Sequence, residues 1–368
     1  MKKFAIIVLA IIAALLLAGY AFMAQEKFGK SPSGARLERI KKSPHYRDGE
    51  FHNLNPTPQL AEDTSMATVM YHFLVDRVAR SAPGRAFEFS KTDLKNLPPS
   101  EDVFVWMGHS SYFIQLGGQK ILVDPVLSGQ ASPFSFGTRA YAGADLYGAD
   151  DMPDIDVLII THDHWDHLDH DTVKRLRPKV KRVITGLGTG EHLAHWGFDP
   201  GRINELDWGD ALDLGGGLKV FCETARHFSG RSFRRNQALW ASFVLQTPTE
   251  RLFVGGDSGY DDNFKKIGDK YGSFDLAILE NGQYNARWPY IHFLPGQNIQ
   301  AMKDLKAKRM IPVHNSKFTI AEHAWDEPMK KMVELNRDNA RIIMPAIGQK
   351  VDWRDDAKVY ERWWERYP

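Results

Sequence analysis

One short stretch constrains the fold of this chain more than any other: an apolar run followed at once by histidines and aspartates. The run from Asp156 to Ile160 predicts a buried strand. His162 and His164 come directly after it, and alternate residues of an extended chain face the same way, so these two can bind one cation together. Asp166 and His167 are adjacent, where the chain must turn, and can bind a second cation. The stretch therefore predicts a metal site at the carboxyl end of a strand.

Two cations need more ligands than one loop supplies, and candidates follow three later predicted strands. They are His227, Asp257 and His314, after strands that end near Cys222, Val254 and Val313. A chance cluster of solvated histidines is the alternative, but the joint occurrence at strand ends argues against it. Imidazole and carboxylate ligands suit zinc, iron or manganese. We therefore predict a site for two metal ions, with zinc the expected metal.

Composition excludes several classes of function. The 368 residues include 47 basic and 46 acidic side chains and a single cysteine, Cys222. One cysteine forms no internal disulfide, and a cysteine-based metal site is not expected. A net charge of +1 argues against a broad nucleic-acid surface, so no nucleic-acid partner is predicted. The sequence has no Gly-x-Ser-x-Gly motif, which argues against a serine nucleophile.

The order of predicted elements indicates an α+β layered domain over residues 101–349. The predicted strands cover residues 104–106, 111–116, 120–123, 156–160, 183–184, 218–222, 239–246, 252–254, 276–279 and 310–313. Gly117-Gly118 is the predicted hairpin turn between the second and third strands. Strands dominate each half and helices are interspersed, so we expect two packed sheets with helices outside. Residues 350–368 are a C-terminal tail whose tryptophans are expected to dock on this domain.

Residues 25–100 are predicted to be an extension in front of the catalytic domain. Residues 25–60 contain Ser-Pro and Pro-Thr-Pro clusters, which are typical of loops or linkers. Apolar residues then recur at helical spacing from Met66 to Val78 and predict an amphipathic helix. We expect its apolar stripe to pack on the main domain, and the alternative is a position on a membrane.

Residues 1–24 are a targeting segment. Lys2 and Lys3 precede an uncharged stretch from Phe4 to Ala24, which is long enough to cross the ~30 Å hydrocarbon layer as a helix. Small residues before Phe22 also suit a cleaved signal peptide, so both readings stay open, with the membrane anchor favoured. We expect the lysines to hold the amino terminus in the cytoplasm. We expect a membrane-anchored catalytic domain outside the cytoplasm, or a periplasmic or secreted one after cleavage.

The histidine and aspartate pattern resembles the metallo-β-lactamase superfamily, over roughly residues 102–348. This resemblance implies an αβ/βα sandwich. It also implies the ligand sets: His162, His164 and His227 for the first metal, and Asp166, His167 and His314 for the second, with Asp257 bridging both.

A narrower set of motifs resembles the N-acylphosphatidylethanolamine-hydrolysing phospholipase D group. They are residues 106–111 (Trp-Met-Gly-His-Ser-Ser), 121–125 (Ile-Leu-Val-Asp-Pro), 256–260 (Gly-Asp-Ser-Gly-Tyr), Arg287-Trp288, and His292 with Pro295. Departures occur at residues 281–284 and 314–318, where that group more often has Gly-Ala-Tyr and His-Trp-Gly-Thr-Phe. These differences leave the metal ligands intact but leave the head group and acyl chain open.

By this resemblance we expect phosphodiester hydrolysis, with metal-bound hydroxide attacking the phosphorus of N-acylphosphatidylethanolamine or a related phospholipid. Asp257 and His292 are the predicted catalytic residues. His292 would bind the phosphate or protonate the leaving group; support of the site from behind is its alternative role. The predicted substrate-binding residues are Arg226, Arg231, Tyr284, Arg287 and Trp288. Arg234 and Arg235 complete a group of arginines around His227, and the alternative for that group is a solvated basic loop. His109 and His170 are expected to support the site by hydrogen bonds.

Other functions on the same fold remain as alternatives. The site could open a lactone or β-lactam ring, or the chain could be a binding domain without catalysis. A binding domain typically loses ligands, whereas all the candidate positions are filled here. A two-iron redox site would need a carboxylate in place of one histidine and an electron-donor domain.

Overall fold

The computed structural model describes residues 1–75 (without the Leu74 side chain), 78–134 and 137–367. The helices are α1 (Lys2–Met23), α2 (Gly34–Ile40), α3 (Met66–Val75), α4 (His170–Leu176), α5 (Gly190–His195), α6 (Asn263–Tyr271), α7 (Gln297–Asp304) and α8 (Glu327–Leu335). The strands are β1 (Tyr46–Arg47), β2 (Glu50–Phe51), β3 (Val103–Trp106), β4 (Tyr112–Leu116), β5 (Gln119–Val123), β6 (Ile155–Ile160), β7 (Val180–Gly186), β8 (Ile203–Leu206), β9 (Ala211–Asp213), β10 (Lys219–Glu223), β11 (Ser242–Gln246), β12 (Arg251–Val254), β13 (Leu276–Glu280), β14 (Met310–Val313) and β15 (Lys350–Val351).

Two mixed sheets dominate the described part of the chain. The first has the strand order β15-β3-β4-β5-β6-β7-β8, antiparallel from β15 to β5 and parallel from β5 to β8. The second has the order β14-β13-β12-β11-β10-β9, parallel from β14 to β12 and antiparallel from β12 to β9. In both sheets the parallel strands end at an edge where loops can carry ligands.

The sheets pack face to face with helices on their outer sides. Phe104 and Ile121 from the first sheet share a core with Val220 and Phe243 from the second. The outer face of the first sheet packs with α4 and α5, and that of the second packs with α6, α7 and α8. This layering agrees with the predicted α+β sandwich.

Alternating side chains of one strand enter different cores, which explains the nearly continuous apolar runs in the sequence. In β12, Leu252 and Val254 point into the core between the sheets, whereas Phe253 packs against the outer helices. All three are fully buried. Burial of such a side chain stabilises the fold by about 1.5–3 kcal/mol.

The predicted hairpin between β4 and β5 turns at Gly117 and Gly118. Their φ angles are +56° and +77°. A two-residue hairpin turn of this kind needs left-handed backbone at both positions, which only glycine adopts at low cost.

Residues 25–60 contain more structure than the predicted loop or linker. They include a 3₁₀ turn at Glu26–Phe28, helix α2 and the β1–β2 hairpin. Ile40 and Phe51 are fully buried and pack with Leu239 and Trp240. The prediction of a linker was wrong here because Ser and Pro clusters mark turns but do not report which isolated apolar residues find a partner.

The apolar helix α3 forms where it was predicted, but its stripe is largely exposed among the described residues; the Leu74 side chain lies outside them. Met66, Met70 and Phe73 are 50%, 59% and 53% exposed, and Tyr71 and Val75 are also exposed. The expectation of packing on the domain was therefore wrong. Helix α1 has no buried residue and is long and apolar enough to cross a membrane.

The C-terminal tail joins the first sheet. β15 pairs antiparallel with β3, with Val351 opposite Phe104. Trp353, Trp363 and Trp364 are buried in the core between the sheets, as the docking prediction implied.

Candidate metal centre

The loop after β6 is held by an aspartate that follows β5. Asp124 accepts hydrogen bonds from the backbone N–H of Thr161 (2.8 Å) and from its hydroxyl (2.6 Å). Its Oδ2 also accepts from Nδ1 of His167 at 2.8 Å. Asp124 has a φ of +41°, so its backbone is strained at the point where it reaches across to the next strand. It fixes the start of the loop and the ring of one predicted ligand. In the sequence, Asp124 stands out only as part of the motif at residues 121–125.

The first group of ligand atoms consists of the imidazoles of His162, His164 and His227, which converge as predicted for the first metal. His162 Nε2 lies 2.9 Å from His164 Nδ1, and His227 Nε2 lies 3.2 Å from the same atom. The Nδ1 of His227 donates to the carbonyl of Ile291 at 2.8 Å, which leaves Nε2 directed at its partners. Burial lowers the pKa of His162 and His227 well below the ordinary value, and lowers that of His164 to about 4. The rings are therefore neutral at pH 7, which is the form that binds a cation.

The second group brings Asp166, His167 and His314 together with His109. Nε2 of His109 donates to Asp166 Oδ2 at 2.9 Å, and Ser110 Oγ lies 2.8 Å from His314 Nδ1. His109 was predicted as a hydrogen-bonding support, and its contact with Asp166 is of that kind. The site residues therefore come from the ends of β3, β6 and β14, in both sheets.

Asp257 lies between the two groups. Its Oδ2 is 3.1 Å from His167 Nε2 and 3.8 Å from His227 Nε2, while Oδ1 is 3.2 Å from His314 Nδ1. The residue follows β12 after Gly256, where an added Cβ would come within 3.0 Å of the Thr161 side chain. A glycine is needed there because the Asp257 loop and the loop after β6 approach so closely.

The unpaired atoms of the cluster test whether cations fit. Among the described residues, Asp257 Oδ1 and His167 Nε2 are buried and make no hydrogen bond of good geometry. Burial lowers the pKa of His167, but the carboxylates of Asp257, Asp166 and Asp124 outweigh it and raise the pKa well above the usual value. The surroundings thus favour positive charge at this point. These buried ligand atoms have no hydrogen-bond partner of good geometry and lie where positive charge is favoured. Both properties fit a bound metal ion.

His292 stands beside the cluster and is held by a buried carboxylate. Its Nδ1 donates to Glu280 Oε2 at 2.7 Å, while Glu280 Oε1 accepts from the backbone N–H groups of Ser258 (3.1 Å) and Phe293 (2.9 Å). Burial disfavours charge on His292, but the Glu280 and Asp257 carboxylates outweigh it and raise its pKa to about 9. Glu280 is the last residue of β13 and was not predicted as a site residue, although its position at a strand end is the signal that could have indicated it.

Two cavities that share lining residues open on this cluster. The first, of about 240 Å³, is lined by His227, His292 and Trp288 among others, and the second, of about 490 Å³, by Trp165 and Phe134 among others. Both are lined by His164, Asp166, Phe228, Arg235 and Ile320. They form the two sides of one cleft over the donor cluster.

Two of the five predicted substrate-binding residues line the cavities. Trp288 lines the first cavity and Arg231 the second, but the Arg231 guanidinium is buried and donates to the carbonyls of Asp163, Leu168 and Lys27. Arg226 donates to Thr57 and to backbone carbonyls, and Arg287 pairs with Glu322. Tyr284 is buried and donates to Glu327. Arg235, from the same arginine group, lines both cavities.

Comparisons with known proteins identify the family of the chain. Residues 119–315 match the family model described as "Beta-lactamase superfamily domain". The chain is 34% identical over 329 residues to an uncharacterized protein of Mycobacterium tuberculosis (strain ATCC 25618 / H37Rv), covering 88% of each. It is 32% identical over 245 residues to the N-acyl-phosphatidylethanolamine-hydrolyzing phospholipase D 1 of Caenorhabditis elegans, covering 62% of this chain and 68% of the relative.

A solved structure shares the fold. The isothiocyanate hydrolase from Delia radicum gut bacteria superposes with a TM-score of 0.56 at 18% sequence identity, covering 68% of this chain and 98% of that one. At this identity the likeness shows the fold alone. It confirms the predicted sandwich.

Proposed function

Because this chain belongs to the metallo-β-lactamase superfamily, we propose that it is a metal-dependent hydrolase that cleaves the phosphodiester of N-acylphosphatidylethanolamine or a related phospholipid. The cleft is proposed to hold two zinc ions. The first would be bound by His162, His164 and His227, the second by Asp166, His167 and His314, and Asp257 would contact both.

One observation carries this proposal: Asp257 lies between the two groups of buried ligand atoms, and its Oδ1 and the Nε2 of His167 are buried without a hydrogen bond of good geometry. An unpaired buried polar group costs about 1–3 kcal/mol, and a metal ion bound at this place would offset that cost for both atoms. The cluster also lies at the cavity floor, within reach of a ligand.

When bound, two such ions supply an activated water and stabilise the negative charge that develops on a phosphoryl oxygen. The chain sets the geometry around them. Asp124 orients the His167 ring and the Ile291 carbonyl orients His227. The Glu280 carboxylate holds Nδ1 of His292, so Nε2 is the nitrogen presented to the cavity. A proton on that nitrogen can pass to the leaving alkoxide.

A phospholipid substrate is supported by the lining of the cleft. Phe228, Trp288, Ile291 and Ile320 supply apolar surface beside the polar floor. Arg235 is a cation available to the phosphate, because it lines both cavities. The relative from C. elegans, by its name, acts on such a lipid.

Helix α1 is proposed to be an uncleaved membrane anchor. Its 22 residues span about 33 Å at ~1.5 Å per residue. That length matches the ~30 Å hydrocarbon layer. Lys2 and Lys3 would stay in the cytoplasm, and the catalytic domain would lie outside it.

The test is product analysis with purified, metal-loaded protein and N-acylphosphatidylethanolamine. We expect phosphatidic acid and N-acylethanolamine, and loss of both with His164→Ala. His195→Ala is the matched control, because this histidine is exposed on α5. It should turn over the lipid like the unmodified chain.

The same preparation should be offered a lactone, a β-lactam and a soluble phosphodiester. Hydrolysis of the lactone or β-lactam with no cleavage of any phosphodiester would contradict the proposed reaction. Metal-loaded protein inert towards the whole panel would favour a binding domain.

A further inference from the structure

The carboxyl end of α1 lies at the mouth of the cleft. Phe22 and Met23, in its last turn, line the second cavity together with His164 and Asp166. The Phe22 ring stacks on Phe134 with centroids 5.2 Å apart. If α1 spans a bilayer, its last turn lies at the membrane surface, and so does the rim of this cavity.

The segment after α1 fixes that position against the loop after β6, which carries His162 to His167 and is called the metal loop below. The Phe28 ring packs edge-on against Trp165, with centroids 5.2 Å apart, and Trp165 lies between His164 and Asp166 in the sequence. Trp196 Nε1 donates to the Glu26 carbonyl at 2.8 Å. Arg231, whose guanidinium lies 3.8 Å from the Trp165 ring centroid, donates to the Lys27 carbonyl at 2.9 Å. The metal loop is therefore tied to the end of the anchor by packing and hydrogen bonds.

Helix α3 flanks the cleft on the side of the first cavity. Met66 and Val69 line that cavity. Met70, Tyr71 and Phe73 are 59%, 59% and 53% exposed. Exposing this much apolar surface of a helix to water costs free energy unless another surface covers it.

We propose that the mouth of the cleft faces the bilayer, with α3, Phe134 and Phe233 immersed in the outer surface of the same membrane that α1 spans. Phe233 is 93% exposed and lines the second cavity. A lipid would then pass from the leaflet into the cleft between α1 and α3 without crossing water. This inference rests on the proposed function, since it names the source from which that substrate reaches the site.

A bilayer, and not another protein, is the occupant that the contacts favour. The exposed apolar residues are continuous with the end of the apolar anchor through the Phe22–Phe134 contact. Aromatic side chains at such a level match the belt that flanks a spanning helix. Arg234 and Arg235 are exposed next to Phe233, where they would meet anionic head groups.

The first experiment locates the surface directly. The full chain, carrying an environment-sensitive fluorophore on Met70→Cys or Phe233→Cys, is reconstituted into nanodiscs of phosphatidylethanolamine and phosphatidylglycerol. The native Cys222 is fully buried and burial raises the pKa of its thiol, so it does not compete for the label. Val359→Cys is the control, since Val359 is 86% exposed on the C-terminal tail.

Labels at positions 70 and 233 should shift to the blue and be quenched by lipid-borne quenchers, whereas the label at 359 should report water. Water-exposed signals at both positions would overturn the proposal. So would shielding that persists in detergent together with a dimeric mass, because a second copy would then cover the surface.

The second experiment measures entry of substrate. The variant Met70→Glu/Phe73→Glu should lose at least about tenfold in turnover of phospholipid in bilayers, because two charges disfavour insertion. Its turnover of a soluble short-chain phosphodiester should equal that of the unmodified chain. Val359→Glu should affect neither substrate.

The two substrates separate this inference from the proposed function. Equal turnover of bilayer lipid by the double variant and the unmodified chain would refute bilayer entry while leaving the hydrolase intact. An unmodified chain that cleaves no phosphodiester would refute the proposed function, and the labels at 70 and 233 would still decide which surface meets the membrane.

Discussion

Backbone conformation at single residues holds the two halves of the cluster together. His109 and His314 have φ angles of +51° and +65°, which non-glycine residues rarely adopt. The N–H of His314 donates to the His109 carbonyl, and the N–H of His109 donates to the Asn315 carbonyl, both at 2.9 Å. Such conformations cost on the order of 1–3 kcal/mol each and persist where surrounding contacts impose them. The cost at this place is consistent with a functional site.

Removal of the central imidazole tests the first metal group. His164→Ala should release at least one metal ion per chain and lower the catalytic rate by several orders of magnitude, because Nδ1 of His164 meets both His162 and His227. The far-UV circular dichroism spectrum should be unchanged. Metal analysis and turnover measured on the same sample check this. Full activity with that group empty would contradict the assignment.

Glu280 is predicted to position His292. Glu280→Gln keeps the shape and one acceptor oxygen but removes the charge that faces Nδ1. We expect kcat to fall by about 10- to 100-fold, as for other groups that orient an active-site histidine, with KM nearly unchanged. Glu334→Gln, on the exposed surface of α8, is the matched control.

The metal content of the Glu280→Gln variant shows whether Glu280 positions His292 or itself binds a metal ion. Its carboxylate also lies near Asp257 and His314, so it could itself hold an ion. If Glu280→Gln loses a metal ion together with activity, Glu280 is a ligand. An unchanged kcat would show that Glu280 does not position His292 for the reaction.

Strand ends made the metal cluster predictable from the sequence. Each candidate ligand follows an apolar run, and the cluster forms where the carboxyl end of β6, in the first sheet, meets those of β12 and β14, in the second. The contacts of Arg231 and Tyr284 could not be predicted in this way. Their partners, such as Lys27 and Glu327, are distant in sequence and have no periodic signal.

The segment from α1 to α2 is held against the domain by side chains that donate hydrogen bonds to backbone carbonyls. Arg231 is the main example, because its guanidinium is buried and donates to Asp163, Leu168 and Lys27. Burial lowers its pKa to about 10, so the side chain stays charged at neutral pH.

Arg231→Lys keeps the charge but cannot satisfy these carbonyls together. We expect the free energy of unfolding to fall by about 1–3 kcal/mol, because buried acceptors lose their partners. Arg175→Lys is the control, since Arg175 forms an exposed ion pair with Asp150 that contributes little. Denaturant unfolding of both variants decides this. Equal stability would show that the carbonyls are satisfied in another way.

Long apolar strands were predictable and short edge elements were not. β6 and β11 to β14 coincide with predicted runs, because burial on both faces gives continuous apolar sequence. β9 and β15 are short edge strands whose residues are partly exposed, so their composition carries no such signal. The exposed side of α3 was also misjudged, since helical spacing reports a stripe but not what covers it.

For the whole molecule, the two sheets form one scaffold whose shared edge carries the cluster. The ligands after β6 come from the first sheet and those after β10, β12 and β14 from the second. Closing the sandwich therefore assembles the site, and α1 and α3 border its opening.

An uncleaved anchor predicts the mass of the mature chain. Protein isolated from the membranes of expressing cells should have the mass that starts at residue 1 and should resist extraction by alkaline carbonate. The last turn of α1 contacts Phe28 and Phe134, so it belongs to the folded unit. A mature chain that starts at Phe22 or Gln25 would show a cleaved signal peptide instead.

The central claim is that phosphodiester hydrolysis depends on two metal ions held by the cluster. The most direct measurement is a titration: chelator-treated full-length protein receives zinc in known equivalents while phosphodiester turnover and bound metal are followed together. We expect no turnover without metal and a maximum at two ions per chain. Full turnover by metal-free protein, or binding of two ions with no hydrolysis of any phosphodiester, would contradict it.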